Sequence, residues 1–232
     1  MTDSKTYLPS DKMITLIADN YQLIQVMSRF GIPMGFGDKT VTEVCDDAGV
    51  DCNTFLTVVN FVMDGYNNFE TSPNVSAESL LHYLKQSHIY FLEYCLPAIR
   101  RKLLDSIKLR ESDVSFLIIK LFDEYVNEVR SHMEYEEMTV FKYVRALLNG
   151  DDVDNYHITT YSDHHEQVGS KLKELKTIII KYCPRDASIN LLNAALYDIY
   201  RCEEELGSHC QVEDCLLVPA IMKLERQIAK PV

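Results

Sequence analysis

Glycine and proline are scarce in this chain, eight and seven in 232 residues, so few positions can interrupt a helix. Long apolar runs are also missing. Nothing approaches the roughly 18–20 residues of a membrane span, and the opening Met1-Thr2-Asp3-Ser4-Lys5 has no apolar signal core. A cytoplasmic protein with no membrane partner is expected. Basic residues are outnumbered, 23 Lys and Arg against 35 Asp and Glu, for a formal charge of −12. Binding to a phosphate backbone needs clustered cations that release counterions, so nucleic acid is not an expected partner. The seven cysteines, at 45, 52, 95, 183, 202, 210 and 215, are odd in number and contain no Cys-x-x-Cys. That argues against a disulfide framework or a zinc ribbon and leaves scattered reduced thiols.

What is present is an ordinary globular composition, 47% apolar and 25% charged, with apolar residues recurring every three or four positions. The fold class expected is all-α. A polar stretch, Tyr66-Asn67-Asn68-Phe69-Glu70-Thr71-Ser72-Pro73-Asn74, has no helical period and reads as a linker. The chain is thereby divided into a small helical N-terminal domain over 1–66, a linker over 67–75 and a helical bundle over 76–232. The first part carries short helical segments near 11–29, 40–48 and 52–65, broken by the loop Gly31-Ile32-Pro33-Met34-Gly35-Phe36-Gly37. The bundle carries four long amphipathic segments, about 76–109, 112–148, 155–182 and 186–227, separated by breakers at Ser112-Asp113, Asn149-Gly150-Asp151-Asp152 and Pro184-Arg185-Asp186. Short connections between long helices predict up-down-up-down packing.

Two of these segments carry His-x-x-x-Glu: His132 with Glu136, and His209 with Glu213. Four residues advance a helix by about 400°, so each pair shares a face and both members can reach one centre. Antiparallel packing adds a second condition, because residues at equal height on successive helices lie equidistant from the turn between them. The midpoint of His132 and His165 falls at Leu148–Asn149, that of His165 and His209 at Ala187, beside the proline break, and that of His88 and His132 at Arg110, just before Ser112-Asp113. His82 would move the first midpoint inside a periodic run, and His157 fails in the same way. His164 points about 100° away from its neighbour His165, and only one of the two can face inward well. His82, His157 and His164 are therefore read as surface or core histidines. The candidate metal ligands are His88, His132, Glu136, His165, His209 and Glu213, converging on one layer. Imidazole and carboxylate without thiolate suit iron or manganese better than a closed zinc site. The Glu-x-x-His triplet of ferritin-like sites does not occur.

His132-x-x-x-Glu136-Glu137 with Val140-Phe141, and His209-x-x-x-Glu213 with Val218-Pro219, resemble the hemerythrin HHE pattern, and most of all the repair-of-iron-centres proteins. His165-Glu166-Gln167-Val168-Gly169 is similar to that family's third-helix segment, and His88 upstream of Leu96-Pro97 to its first, one residue farther apart than usual. Arg29-Phe30-Gly31-Ile32, Gly37-x-Lys39-Thr40 and Ala48-Gly49-Val50-Asp51 resemble the family's N-terminal domain. Gly35 and Phe36 stand where that domain has paired cysteines, and Asp38 stands for a glycine. The resemblance implies a hemerythrin-like four-helix bundle with two non-haem iron ions, an oxo bridge between them being an open point. It also implies a part in nitrosative and oxidative stress, as an iron-binding protein more than a turnover enzyme. Its partners would be apo or damaged iron–sulfur proteins that receive iron, and a homodimer is an allowed state. The alternatives it leaves open are an O2 or NO sensor or carrier and a di-iron NO or peroxide reductase. Without the paired cysteines, the N-terminal domain is expected to act by docking, with Phe36 anchoring a contact or covering the bundle.

Overall fold

The structure is a computed structural model that describes residues 5–63, 74–107, 113–151, 156–161 and 170–228. Among the described residues it is all-α, with no strand and one isolated bridge between Lys12 and Thr40. The expected fold class therefore holds. The proposed linker lies mostly outside the described residues, as do His164 and His165.

Among its described residues the N-terminal part holds four helices, α1 Met13–Asp19, α2 Leu23–Arg29, α3 Val41–Ala48 and α4 Cys52–Met63. One helix was expected over 11–29, and two are found. Asn20 takes an extended backbone and its side-chain oxygen accepts the Gln22 amide at 2.9 Å, a local turn that competes with the helix. α3 begins with a capping box: the Thr40 hydroxyl accepts the Glu43 amide and the Glu43 carboxylate accepts the Thr40 amide. It ends at Gly49, whose φ of 66° is the left-handed closure that glycine adopts without strain.

The expected long segments appear as helices, and three of them are interrupted by a π turn. α5 Ala77–Ile89 runs through a π segment, Tyr90–Cys95, into α6 Leu96–Ser106. α7 Asp113–Tyr135 runs through Glu136–Val140 into α8 Phe141–Asn149. α9 is Ser170–Tyr182, and in the described stretch 156–161 of the same segment a short 3-10 turn, Ile158–Thr160, stands in place of the expected α-helix. α10 Ile189–Val212 runs through Glu213–Leu217 into α11 Val218–Ile228. The first π segment lies between His88 and Pro97, and its wider turn takes up one residue more than an α-turn would. That matches the extra residue in their spacing.

Backbone contacts divide the chain into two compact units. One, residues 88–140 and 160–207, is a helical bundle around a single core. Phe91, Ile99 and Leu103 pack there with Ile118, Phe122, Tyr125 and Val129, with Leu172, Leu175 and Ile179, and with Ala195, Ile199 and Cys202. Its charged pairs report antiparallel neighbours. Arg100 grips Asp123 with two hydrogen bonds of 2.7 and 2.9 Å, Lys171 meets Glu128 at 2.7 Å, and Lys176 bonds Glu203. Their midpoints fall at Glu111–Ser112, Asn149–Gly150 and Ile189–Asn190, at or within a few residues of the turns. The Arg100–Asp123 and Lys171–Glu128 pairs are exposed enough to contribute at most about 1 kcal/mol each, so they mark the register more than they hold it, whereas Lys176 is buried beside Glu203.

The other unit comprises residues 1–87, 141–159 and 208–232. In it the N-terminal helices lie on α5. Phe30 packs edge-on to Phe55 with centroids 5.4 Å apart and lies 4.9 Å from the Tyr83 ring, while the Thr54 hydroxyl accepts the Ser76 amide at 2.8 Å. Phe36, expected at an exposed loop tip, is half-buried.

Candidate metal centre

The bundle core gives way to polar side chains where the π turns begin. Glu136 is the first residue of the second π segment, Glu213 is the first of the third, and His88 lies two residues before the first. π turns widen a helix by one residue and recur at functional sites because they re-aim side chains that an α-turn would stack. Glu136 and Glu213 are fully buried, as is His209, and His88 is only 1% exposed. A buried carboxylate is costly unless it is paired, so each of these needs a partner.

Glu136 is held from three sides. Its Oε1 lies 2.9 Å from His132 Nε2, one helical turn earlier, and accepts the Tyr161 hydroxyl at 2.5 Å. Its Oε2 lies 3.1 Å from His88 Nε2. The two oxygens of one carboxylate thus face two different imidazoles. On its other edge, His88 Nδ1 lies 3.0 Å from Oε1 of Glu137. A carboxylate there orients the ring and fixes the tautomer that leaves Nε2 as a lone-pair donor. In the fourth long helix His209 Nε2 lies 3.2 Å from Glu213 Oε1, again one turn apart.

Ligand atoms of His88, Glu136, His209 and Glu213, all four buried, lie within 4.8 Å of one another, and those of His132, Cys210 and Glu213 do the same. Glu213 belongs to both groups. A family model described as the hemerythrin HHE cation binding domain matches residues 79–221. The chain belongs to the hemerythrin HHE cation-binding family. No curated protein matches it.

Of the six residues singled out in the sequence of this hemerythrin domain, His88, Glu136, His209 and Glu213 belong to the first group and His132 and Glu213 to the second. The sixth, His165, lies outside the described residues. His82 and His157 are exposed and belong to neither group. Three neighbours were missed. Glu137 adjoins Glu136, but nothing in the sequence says that it reaches behind His88. Tyr161 lies four residues before His165 on the segment where the histidine was sought, but nothing in the sequence marks it as a partner of Glu136. Cys210, next to His209, brings a sulfur into a group expected to hold none. The donor set of imidazole nitrogens and carboxylate oxygens, buried together, fits a divalent ion of borderline hardness. No helix among the described residues is long and apolar enough to cross a membrane.

Proposed function

We propose that this hemerythrin-family chain is a non-haem di-iron protein that holds two iron ions and supplies iron for the repair of damaged iron–sulfur proteins under nitrosative or oxidative stress. The ligands in this reading are His88, His132, Glu136, His165, His209 and Glu213, on a bundle spanning 76–232 that follows a small N-terminal domain over 1–66. The observation that carries it is Glu136: each of its oxygens faces a different histidine, the disposition a carboxylate needs to bridge two ions. Bound iron would supply open coordination positions for small oxygen or nitrogen ligands.

The chain's own residues do the rest. Glu137 holds His88 in the tautomer that presents Nε2. The Tyr161 hydroxyl steadies one oxygen of Glu136 and supplies a proton donor there. Burial keeps bulk water away from both carboxylates, which strengthens their electrostatic hold on a cation. Cys210 makes zinc the competitor to exclude, since thiolate favours it.

Metal analysis of the purified chain tests the reading. Two irons per chain are expected, with iron content reduced in Glu136→Ala and Glu213→Ala and unchanged in His82→Ala and His157→Ala. Zinc in place of iron would sink the iron assignment, and iron lost in His82→Ala but kept in His88→Ala would overturn the ligand set. Repair is tested separately, by transfer of iron from the loaded chain to an apo iron–sulfur protein. Sustained turnover of NO or peroxide with a reductant would make it an enzyme instead.

A further inference from the structure

Seven residues beyond His88 stands Cys95, and seven before His209 stands Cys202. Along α10 seven residues are about 10 Å and nearly two full turns, so Cys202 lies on the same stripe as His209, one layer deeper in the four-helix core. Cys95 closes the first π segment and packs against that same core. The two thiols hydrogen-bond to each other, Cys202 donating to Cys95. Around them Tyr90 bonds Cys95, Arg201 and Glu205, and Arg201 pairs with Glu205 at 3.3 Å. Cys95 is half-buried and Cys202 is buried, 2% exposed.

We propose that Cys95 and Cys202 are a reversible dithiol–disulfide pair oxidised by peroxide, with Cys95 the thiol that is oxidised first and Cys202 the thiol that resolves it. The exposure difference sets the order, because the oxidant reaches only the outer sulfur. The hydrogen bond from Cys202 holds the Cys95 thiol below the usual range and outweighs the burial that opposes it, and the Tyr90 hydroxyl adds to the effect. Low-pKa, accessible cysteines beside a resolving thiol are the ones that oxidise selectively. In the first step the Cys95 thiolate attacks one peroxide oxygen. The O–O bond breaks, a sulfenic acid forms and one water leaves. In the second, the Cys202 sulfur attacks the Cys95 sulfur, the S–S bond forms, and the hydroxyl departs with the Cys202 proton as a second water. Two thiols are oxidised by two electrons and one peroxide is reduced to two waters. A second thiol pair, Cys45 with Cys52, also hydrogen-bonds, but there burial pushes the Cys45 thiol up. It serves as an internal comparison.

The full chain, as purified, is treated with hydrogen peroxide in one arm and with glutathione disulfide in another, then digested without reduction and mapped by mass spectrometry. The expected result is a peptide joining Cys95 to Cys202, two hydrogens lighter than its parts and restored by dithiothreitol. In C202S, dimedone should label Cys95, and in C95S, Cys202 should stay unlabelled. Iodoacetamide should alkylate Cys95 of the untreated chain at least tenfold faster than Cys202. A new disulfide between other cysteines, or a Cys95 still free when others have oxidised, overturns the proposal. So does an oxidised chain with no disulfide. The wild-type map decides even if a variant fails to fold.

Discussion

At the residue scale, the positions that matter are those whose partners lie on another helix. Glu137 and Tyr161 touch His88 and Glu136 from outside the ligand set, and such supporting hydrogen bonds typically change metal affinity by about 10–100-fold. Glu137→Gln and Tyr161→Phe are therefore expected to keep the metal at saturation yet release it to a competing chelator about tenfold more readily, which a chelator titration reads directly. Affinity equal to wild type in both would remove their supporting role. Neither residue was legible in the sequence, because helical phase and midpoint height identify what faces the bundle axis, not what reaches an imidazole from behind. His88, His132, Glu136, His209 and Glu213 were singled out for the opposite reason: the histidines satisfy midpoint height against one another, and each glutamate lies one turn beyond its histidine. A different residue gives the pH dependence. Tyr7 is buried and donates its hydroxyl to Asp19 at 2.9 Å, and burial first, then that carboxylate, pushes its pKa from 10 up to about 12. Its folded value lies above the unfolded one, so its contribution is whole below pH 10 and is lost as pH rises toward 12. Melting temperature should fall across that window, and Tyr7→Phe should flatten the fall.

At the scale of elements, the helices arise from three- and four-residue apolar spacing, and their ends from local chemistry. Thr40 and Glu43 satisfy each other's backbone at the start of α3, so Thr40→Ala should cost about 1 kcal/mol in urea denaturation. No loss of stability would mean that the backbone bonds holding this turn, Val41 N–H to the Asp11 carbonyl and Met13 N–H to the Lys39 carbonyl, suffice. Two features of the elements escaped sequence reading. The break at Asn20 had a signal, a residue able to turn the chain on its own side chain, but the surrounding apolar spacing outweighed it. The π turns had none, since five-residue hydrogen bonding leaves the apolar pattern nearly unchanged and is decided by how neighbouring side chains pack.

At the scale of the whole molecule, the buried His and Glu side chains make folding and cation binding one process. Carboxylates gathered in a low-dielectric interior repel one another and are stabilised by a bound cation. A ligand at about a thousand times its dissociation constant adds about 4 kcal/mol, so chelation should lower the melting temperature by about 10 °C. An unchanged melt in a verified metal-free sample would show that the buried carboxylates are neutralised without a cation. The net charge of −12 favours cationic over anionic encounters at low salt. The three π turns also bear on descent. Each widens its helix by one residue, and the His88–Pro97 spacing is one residue longer than the family's usual one, so alignments with other members of the family should open a one-column gap within 90–95, while the segments at 136–140 and 213–217 should align without gaps.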